Sequence, residues 1–149
     1  MGFSRSLVLG CLFAAMLSTA GCADSPAGGA SAIAVVPINQ QWTLSRVGAW
    51  GVPVSIEAQP GVSRQISAGS INLRDDWTWS FAYEHHDTSM TVDRTGTFRA
   101  WGTYAVYGGE PTVASLRDES TGQTLTATIN ADNSVDLALG GLTYHFVGK

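Results

Sequence analysis

Few residues of this chain are of a type that does chemistry, and they fall in small groups. Glu84-His85-His86-Asp87 is the densest run of metal-ligand types, and His145 is the only other histidine. Imidazole and carboxylate together suit zinc or copper. In an extended strand, however, neighbouring side chains leave opposite faces, so two adjacent imidazoles cannot reach one ion unless the chain turns between them. The run is better explained as a polar hairpin tip, and no metal is expected. Asp75-Asp76 has the carboxylate pair that acid–base catalysis uses, but no partner for it is in view. Asp132-Asn133-Ser134-Val135-Asp136 holds oxygen ligands at short spacing without the glycine and distal glutamate of a calcium loop. Both fit turn chemistry. There is no Gly-x-Ser-x-Gly elbow, Ser-x-x-Lys, His-Glu-x-x-His or phosphate loop, so neither catalysis nor a cofactor is expected.

The remaining reactive side chains are two cysteines, Cys11 and Cys22. Arg5 is the sole charge before Cys22, Leu7 to Leu17 is uncharged and apolar, and Ser18-Thr19-Ala20-Gly21 are small. A positive start, a short apolar middle and a small-residue exit are the requirements of a secretory signal. The apolar run is well short of the roughly 20 residues that span a bilayer. With Cys22 next, the arrangement resembles a bacterial lipoprotein signal. That resemblance implies a signal peptide over 1–21, export, and acyl chains of the palmitate kind on Cys22 that tie the protein to a membrane of the cell envelope. By the same resemblance, Ala23 rather than Asp after the cysteine implies the outer membrane over the inner. Loss of Cys11 with the leader would leave no disulfide to form.

Residues 22–40, rich in Ala, Gly, Ser and Pro, are expected to form a lipidated, flexible tether. Its span is roughly 20–25 Å from the coil scaling of such sequences. The apolar patch Ile33 to Val36 could instead start a strand. Without Arg5, seven Lys plus Arg, scattered singly, face 12 Asp plus Glu. No basic stripe is present to neutralise phosphates, so nucleic acid is excluded as a partner.

From 41 to 149 the period is two. Trp77-Thr78-Trp79-Ser80-Phe81-Ala82-Tyr83-Glu84 puts four aromatics on one face, and Leu125 to Ile129, Val135 to Leu139 and Leu142 to Phe146 alternate likewise. Strands are expected near 42–47, 52–56, 64–74, 77–85, 88–93, 97–107, 111–118, 123–130, 134–139 and 142–147. Turn chemistry separates them at Arg94-Thr95-Gly96, Tyr107-Gly108-Gly109, Ser120-Thr121-Gly122, Asp132-Asn133 and Gly140-Gly141. This pattern predicts an all-β antiparallel meander that hides its edges by closing into a small up-and-down barrel. A two-sheet sandwich is the second choice.

The order Gln41-Trp42-Thr43-Leu44, Gly69-Ser70-Ile71-Asn72-Leu73, Thr95-Gly96-Thr97-Phe98, Trp101-Gly102-Thr103-Tyr104 and a closing Leu142-Thr143-Tyr144-His145-Phe146 resembles the small lipocalin-like domains of bacterial lipoproteins. The resemblance covers residues 41–149 and implies a barrel with room for a small apolar molecule or lipid. Trp77, Trp79, Phe81, Tyr83, Trp101, Tyr104, Tyr144 and Phe146 are the residues expected to line it, either as a stacking pocket or as a filled core. The rival expectation is a structural or inhibitory envelope module with no small ligand, meeting another protein through a strand edge or through the hairpin near Tyr104 to Pro111.

Overall fold

A computed structural model describes residues 38–109 and 111–149. The leader over 1–21, Cys22 and the tether up to residue 37 lie outside the described residues. Ten strands carry the described chain: β1 (Gln40–Val47), β2 (Trp50–Gly51), β3 (Val54–Gln59), β4 (Val62–Leu73), β5 (Thr78–Thr88), β6 (Asp93–Tyr107), β7 (Thr112–Asp118), β8 (Thr124–Ile129), β9 (Ser134–Leu139) and β10 (Leu142–Gly148). All pairings are antiparallel. The sheet order is β2-β1-β10-β9-β8-β7-β6-β5-β4-β3, and β1 also pairs with β4. Gln40, Gln41, Trp42 and Thr43 sit opposite Leu73, Asn72, Ile71 and Ser70. That pairing closes β1 and β4–β10 into an eight-stranded barrel, leaving β2 and β3 as appended strands. The barrel excludes the sandwich.

Alternation places the core. Trp79, Phe81 and Tyr83 of β5, Leu116 of β7, Val135 and Leu137 of β9, and Tyr144 and Phe146 of β10 are buried, with Trp42 and Leu44 of β1 beside them. Phe81 stands at the centre, its ring 5.5–5.7 Å from those of Tyr83, Phe98, Tyr144 and Phe146. These are contact distances for aromatic pairs. The interior is filled by its own side chains.

The end where the chain enters is stapled by polar groups. The Ile38 N–H donates to the Tyr104 hydroxyl at 2.8 Å, and that hydroxyl shares its proton between the carbonyls of Arg74 (2.8 Å) and Ile38 (3.0 Å). Residues 38–40, assigned to the tether from sequence, thus belong to the barrel. Asn133 turns the chain between β8 and β9 at φ 62°. Its Oδ1 accepts from Gln40 Nε2 (2.6 Å) and Trp42 Nε1 (3.2 Å), and its carbonyl accepts from the Gly148 N–H at 2.9 Å.

Four further expectations need correction. No strand runs over 88–93: Ser89 turns the chain there, its Oγ accepting from the N–H groups of Thr91 and Val92 at 3.2 and 3.0 Å. Arg94-Thr95-Gly96 is accordingly strand, not turn. Trp77 is not in β5, because a turn with φ 64° precedes Thr78 and leaves the indole half-buried, 5.4 Å from the Tyr104 ring. Trp101 does not line the interior. Its neighbours Ala100 and Gly102 are the buried ones, so parity turns the indole outward, 52% exposed.

Asn133 does two jobs, tolerating a left-handed backbone and bonding across strands. Asn133→Ala should cost about 2 kcal/mol, from about 1 for the lost cross-strand bonds and about 1 for the backbone. Asn133→Gly, which keeps the backbone freedom, should cost less. Urea unfolding of both variants checks this, and equal losses would dismiss the backbone part.

Candidate functional site

β4, β5 and β6 run to 12, 11 and 15 residues, whereas β7 has seven. β7 pairs with Gly102 to Tyr107 only, so Asp93 to Trp101 overhangs the barrel with β5 alone as its ladder neighbour. At that end, away from chain entry, β3 to β6 form a four-stranded projection. Its inward face carries two cross-strand rows. One is Ile56, Arg64, Asp87 and Arg94; the next is Val54, Ile66, His85 and Gly96.

Asp87 is the centre of the first row. Its carboxylate is 1% exposed yet charged, held by a fork from Arg64: Nε to Oδ1 at 2.6 Å and Nη2 to Oδ2 at 2.8 Å. Arg94, across on β6, approaches Oδ2 at 3.4 Å. A forked guanidinium–carboxylate pair is the strongest form of such a bond. Hydrogen bonding from Arg64 pulls the Asp87 carboxyl down to about 2, against the opposing effect of desolvation. The Arg64 guanidinium is pushed up, first by that bond. Arg64 also donates from Nη1 to the Tyr83 hydroxyl at 3.3 Å. Two cations against one anion leave the cluster positive, with Arg94 69% exposed.

Around it the walls are aromatic. Tyr83 stacks between Phe98 (5.0 Å, 15°) and Tyr144 (5.8 Å, 23°). Burial, then Tyr83, pushes the Tyr144 hydroxyl up to about 12. His85 is drawn below its usual range, first by burial and then by the charge of Arg64. Its Nδ1 is buried with no partner among the described residues, and Nε2 lies 3.9 Å from Asp87. The ring fits because β6 offers Gly96 beneath it: a Cβ there would come within 3.0 Å of Cε1 and Nε2. A hollow of about 410 Å³ opens at the tip of the projection, bounded by Ile56, Gly61, Val62 and Thr88 among others.

Of the eight aromatics singled out from sequence, Trp79, Phe81, Tyr83, Tyr104, Tyr144 and Phe146 are buried together, while Trp77 is half-buried at the entry end and Trp101 is outside. Trp79 is held by its indole, Nε1 donating to the Arg117 carbonyl at 3.1 Å. The Glu84–Asp87 run is not a hairpin tip; it lies within β5. Its two histidines do leave opposite faces, His85 inward and His86 outward to Asp93 at 2.7 Å. His145 pairs with Asp136 at 2.6 Å on another part of the wall. No group of three metal-ligand side chains comes together among the described residues. Asp76 and Asp132 cap their own turns, accepting from the N–H groups of Thr78 and Ser134.

Sequence reasoning missed Arg64, Arg94 and Phe98. The signal was present in parity: Asp87 shares the face of Trp79, Phe81 and Tyr83, and Arg64 shares that of Ile66. No protein-family model, curated protein or solved structure matches this chain.

The Asp87 carboxyl titrates lower folded than unfolded, so its stabilisation is full above about pH 4 and is lost as pH falls toward 2. Asp87→Asn should therefore lose on the order of 3 kcal/mol at pH 7, because Arg64 is left without its counter-charge. The gap to the unaltered chain should narrow steadily below pH 4. Chemical unfolding from pH 7 to pH 2 measures it, and a gap independent of pH would mean that the pair is not ionic.

Proposed function

We propose that this chain is an exported lipoprotein of the bacterial cell envelope, anchored through Cys22, whose lipocalin-like barrel binds a small apolar molecule or lipid and does no catalysis. Within that reading the ligand sits at the mouth and has an anionic group. The row Ile56–Arg64–Asp87–Arg94 carries the argument. Asp87 neutralises one guanidinium and holds the other beside it, so an exposed positive charge with unused donors stands over an aromatic wall of Tyr83 and Phe98. Such a surface suits a molecule with an apolar body and a carboxylate, sulfonate or phosphate end. The packed rings around Phe81 favour the mouth over the deep interior. Support for the anchor comes from the order of Arg5, the apolar run and the small residues before Cys22.

Tyr107, 60% exposed beside Gly108 and Gly109, favours a second reading, in which this hairpin meets another envelope protein and no small ligand is involved. One reproducible protein crosslinked to that hairpin in intact cells, with nothing small co-purifying, would select it.

Two experiments test the first reading. The anionic dye anilinonaphthalene sulfonate should bind at the mouth, and Arg94→Gln should weaken it about tenfold, the worth of one charge-assisted bond. The neutral dye N-phenyl-naphthylamine should bind both forms alike; equal binding of the sulfonate would refute the charged seat. For the anchor, metabolic labelling with an alkynyl palmitate analogue should mark the chain in bacteria. Cys22→Ser should abolish the label; persistence of the label would place the lipid on another residue, and an unlabelled unaltered chain would refute the anchor.

A further inference from the structure

Among the described residues the sheet has three free strand edges, and they are not alike. β2 is two residues long. β3 is short, lies between Pro53 and Pro60, and is broken by a register shift between Glu57 and Gln59. Short length, proline and bulges are the devices that keep an edge from pairing with another chain. The overhanging half of β6 has none of them. Its register against β5 runs without a shift from Thr103 opposite Thr78 to Asp93 opposite Thr88. Residues 93–101, Asp-Arg-Thr-Gly-Thr-Phe-Arg-Ala-Trp, contain neither proline nor lysine. Arg94, the one inward charge, is drawn aside onto Asp87.

The direction of the backbone groups follows from the two bonds at the top of this stretch. The Trp101 carbonyl accepts from the Glu119 N–H on the β7 side, whereas the Tyr104 N–H donates to the Trp77 carbonyl on the β5 side. Successive residues in a strand alternate their hydrogen-bonding side. Thr95, Thr97 and Arg99 therefore aim both N–H and C=O at the free edge, and none of these groups has a partner among the described residues.

We propose that the overhanging edge of β6 pairs with the same edge of a second copy of this chain, antiparallel and two-fold symmetric about Thr97. In that register Thr97 faces Thr97 of the second copy, and Thr95 faces Arg99 at either side. About six backbone bonds form, two for each facing pair of this kind. On the inward face Gly96 lies opposite Phe98, and Arg94 opposite Ala100, so each large side chain meets a small one. A two-fold at Arg99 would set like charges face to face. A two-fold at Thr95 would leave Arg99 unpaired. A two-fold at Gly96 would also use all three, with Arg99 opposite Asp93, but it would set Arg94 opposite Phe98, so Thr97 is the centre at which each large inward side chain meets a small one. A symmetric self-pairing closes on two copies and does not propagate into a fibre.

Light scattering of the full chain in detergent micelles should give twice the chain mass after the micelle is subtracted. Thr97→Lys, an exposed change that sets two ammonium groups together at the two-fold, should give a single-chain mass with unchanged circular dichroism. Residues in a facing hydrogen-bonded pair have Cα atoms about 5.5 Å apart, within disulfide reach. Thr97→Cys should thus yield a covalent dimer on mild oxidation. Thr103→Cys, on the same strand and face but paired to β7, should not. A single-chain mass for the unaltered protein, a dimer that survives Thr97→Lys, or equal crosslinking at both positions would overturn the proposal. So would capture of a different protein by Thr97→Cys in cells.

Discussion

Four facing residue pairs between β1 and β4 close this sheet, and closure limits everything else. Eight strands enclose room for side chains and little more. Every inward position must then hold a residue whose volume suits its neighbours, and every outward one can be small or polar. Phe81 at the centre touches four other rings, two of them across the interior on β10, and the smaller residues Ala114 and Ala127 are buried on β7 and β8. Large and small inward residues together fill the space, as dense packing requires. Gly102 obeys the same limit from the backbone side: a Cβ there would collide with the Arg117 carbonyl on β7.

Closure also creates the projection. β1 occupies β4 only as far as Ser70, and β7 occupies β6 only down to Gly102. The longer strands β4, β5 and β6 must overhang, with β3 taking the rest of the β4 edge. Inward side chains on the overhang no longer face a full opposing wall, so part of that surface is open to water. The composition changes where the wall ends: Trp79, Phe81 and Tyr83 give way along β5 to His85 and Asp87. A buried ion pair contributes little net stability against an apolar replacement, since desolvation offsets the attraction. Its place here is better explained by what it does to Arg94, which it holds at the rim.

The architecture was legible because its cause is local. Alternation is written into each strand, and hairpin turns of the Asn133 and Gly140-Gly141 kind mark the ends. What misled was turn chemistry read without long-range partners. Turn chemistry alone points to Gly96 as a turn residue, but it is a glycine because the His85 ring of the neighbouring strand lies on it. The turn belongs to Ser89, whose hydroxyl captures two backbone N–H groups. Trp101 failed through parity: counting from Tyr104 rather than from Trp101 itself puts Ala100 and Gly102 inside. Parity gives the face of Arg64 and of Asp87 separately, but their pairing is not legible, because 23 positions separate them and only the β4–β5 register makes them face each other.

The mouth and the β6 edge occupy the same nine residues without interfering, and the reason is again parity. Even positions, Arg94, Gly96 and Phe98, turn side chains to the mouth and backbone groups to β5. Odd positions, Thr95, Thr97 and Arg99, turn side chains to solvent and backbone groups to the edge. One strand can therefore present a charged, aromatic surface on one side and an unsatisfied hydrogen-bonding row on the other. Substitutions at the odd positions would act on the proposed pairing alone, while those at the even positions would act on the proposed ligand seat and also on the inward packing across the two-fold. The two surfaces are mechanically joined all the same. A second strand laid along β6 would stiffen the overhang, and with it the wall against which Arg94 and Phe98 are held.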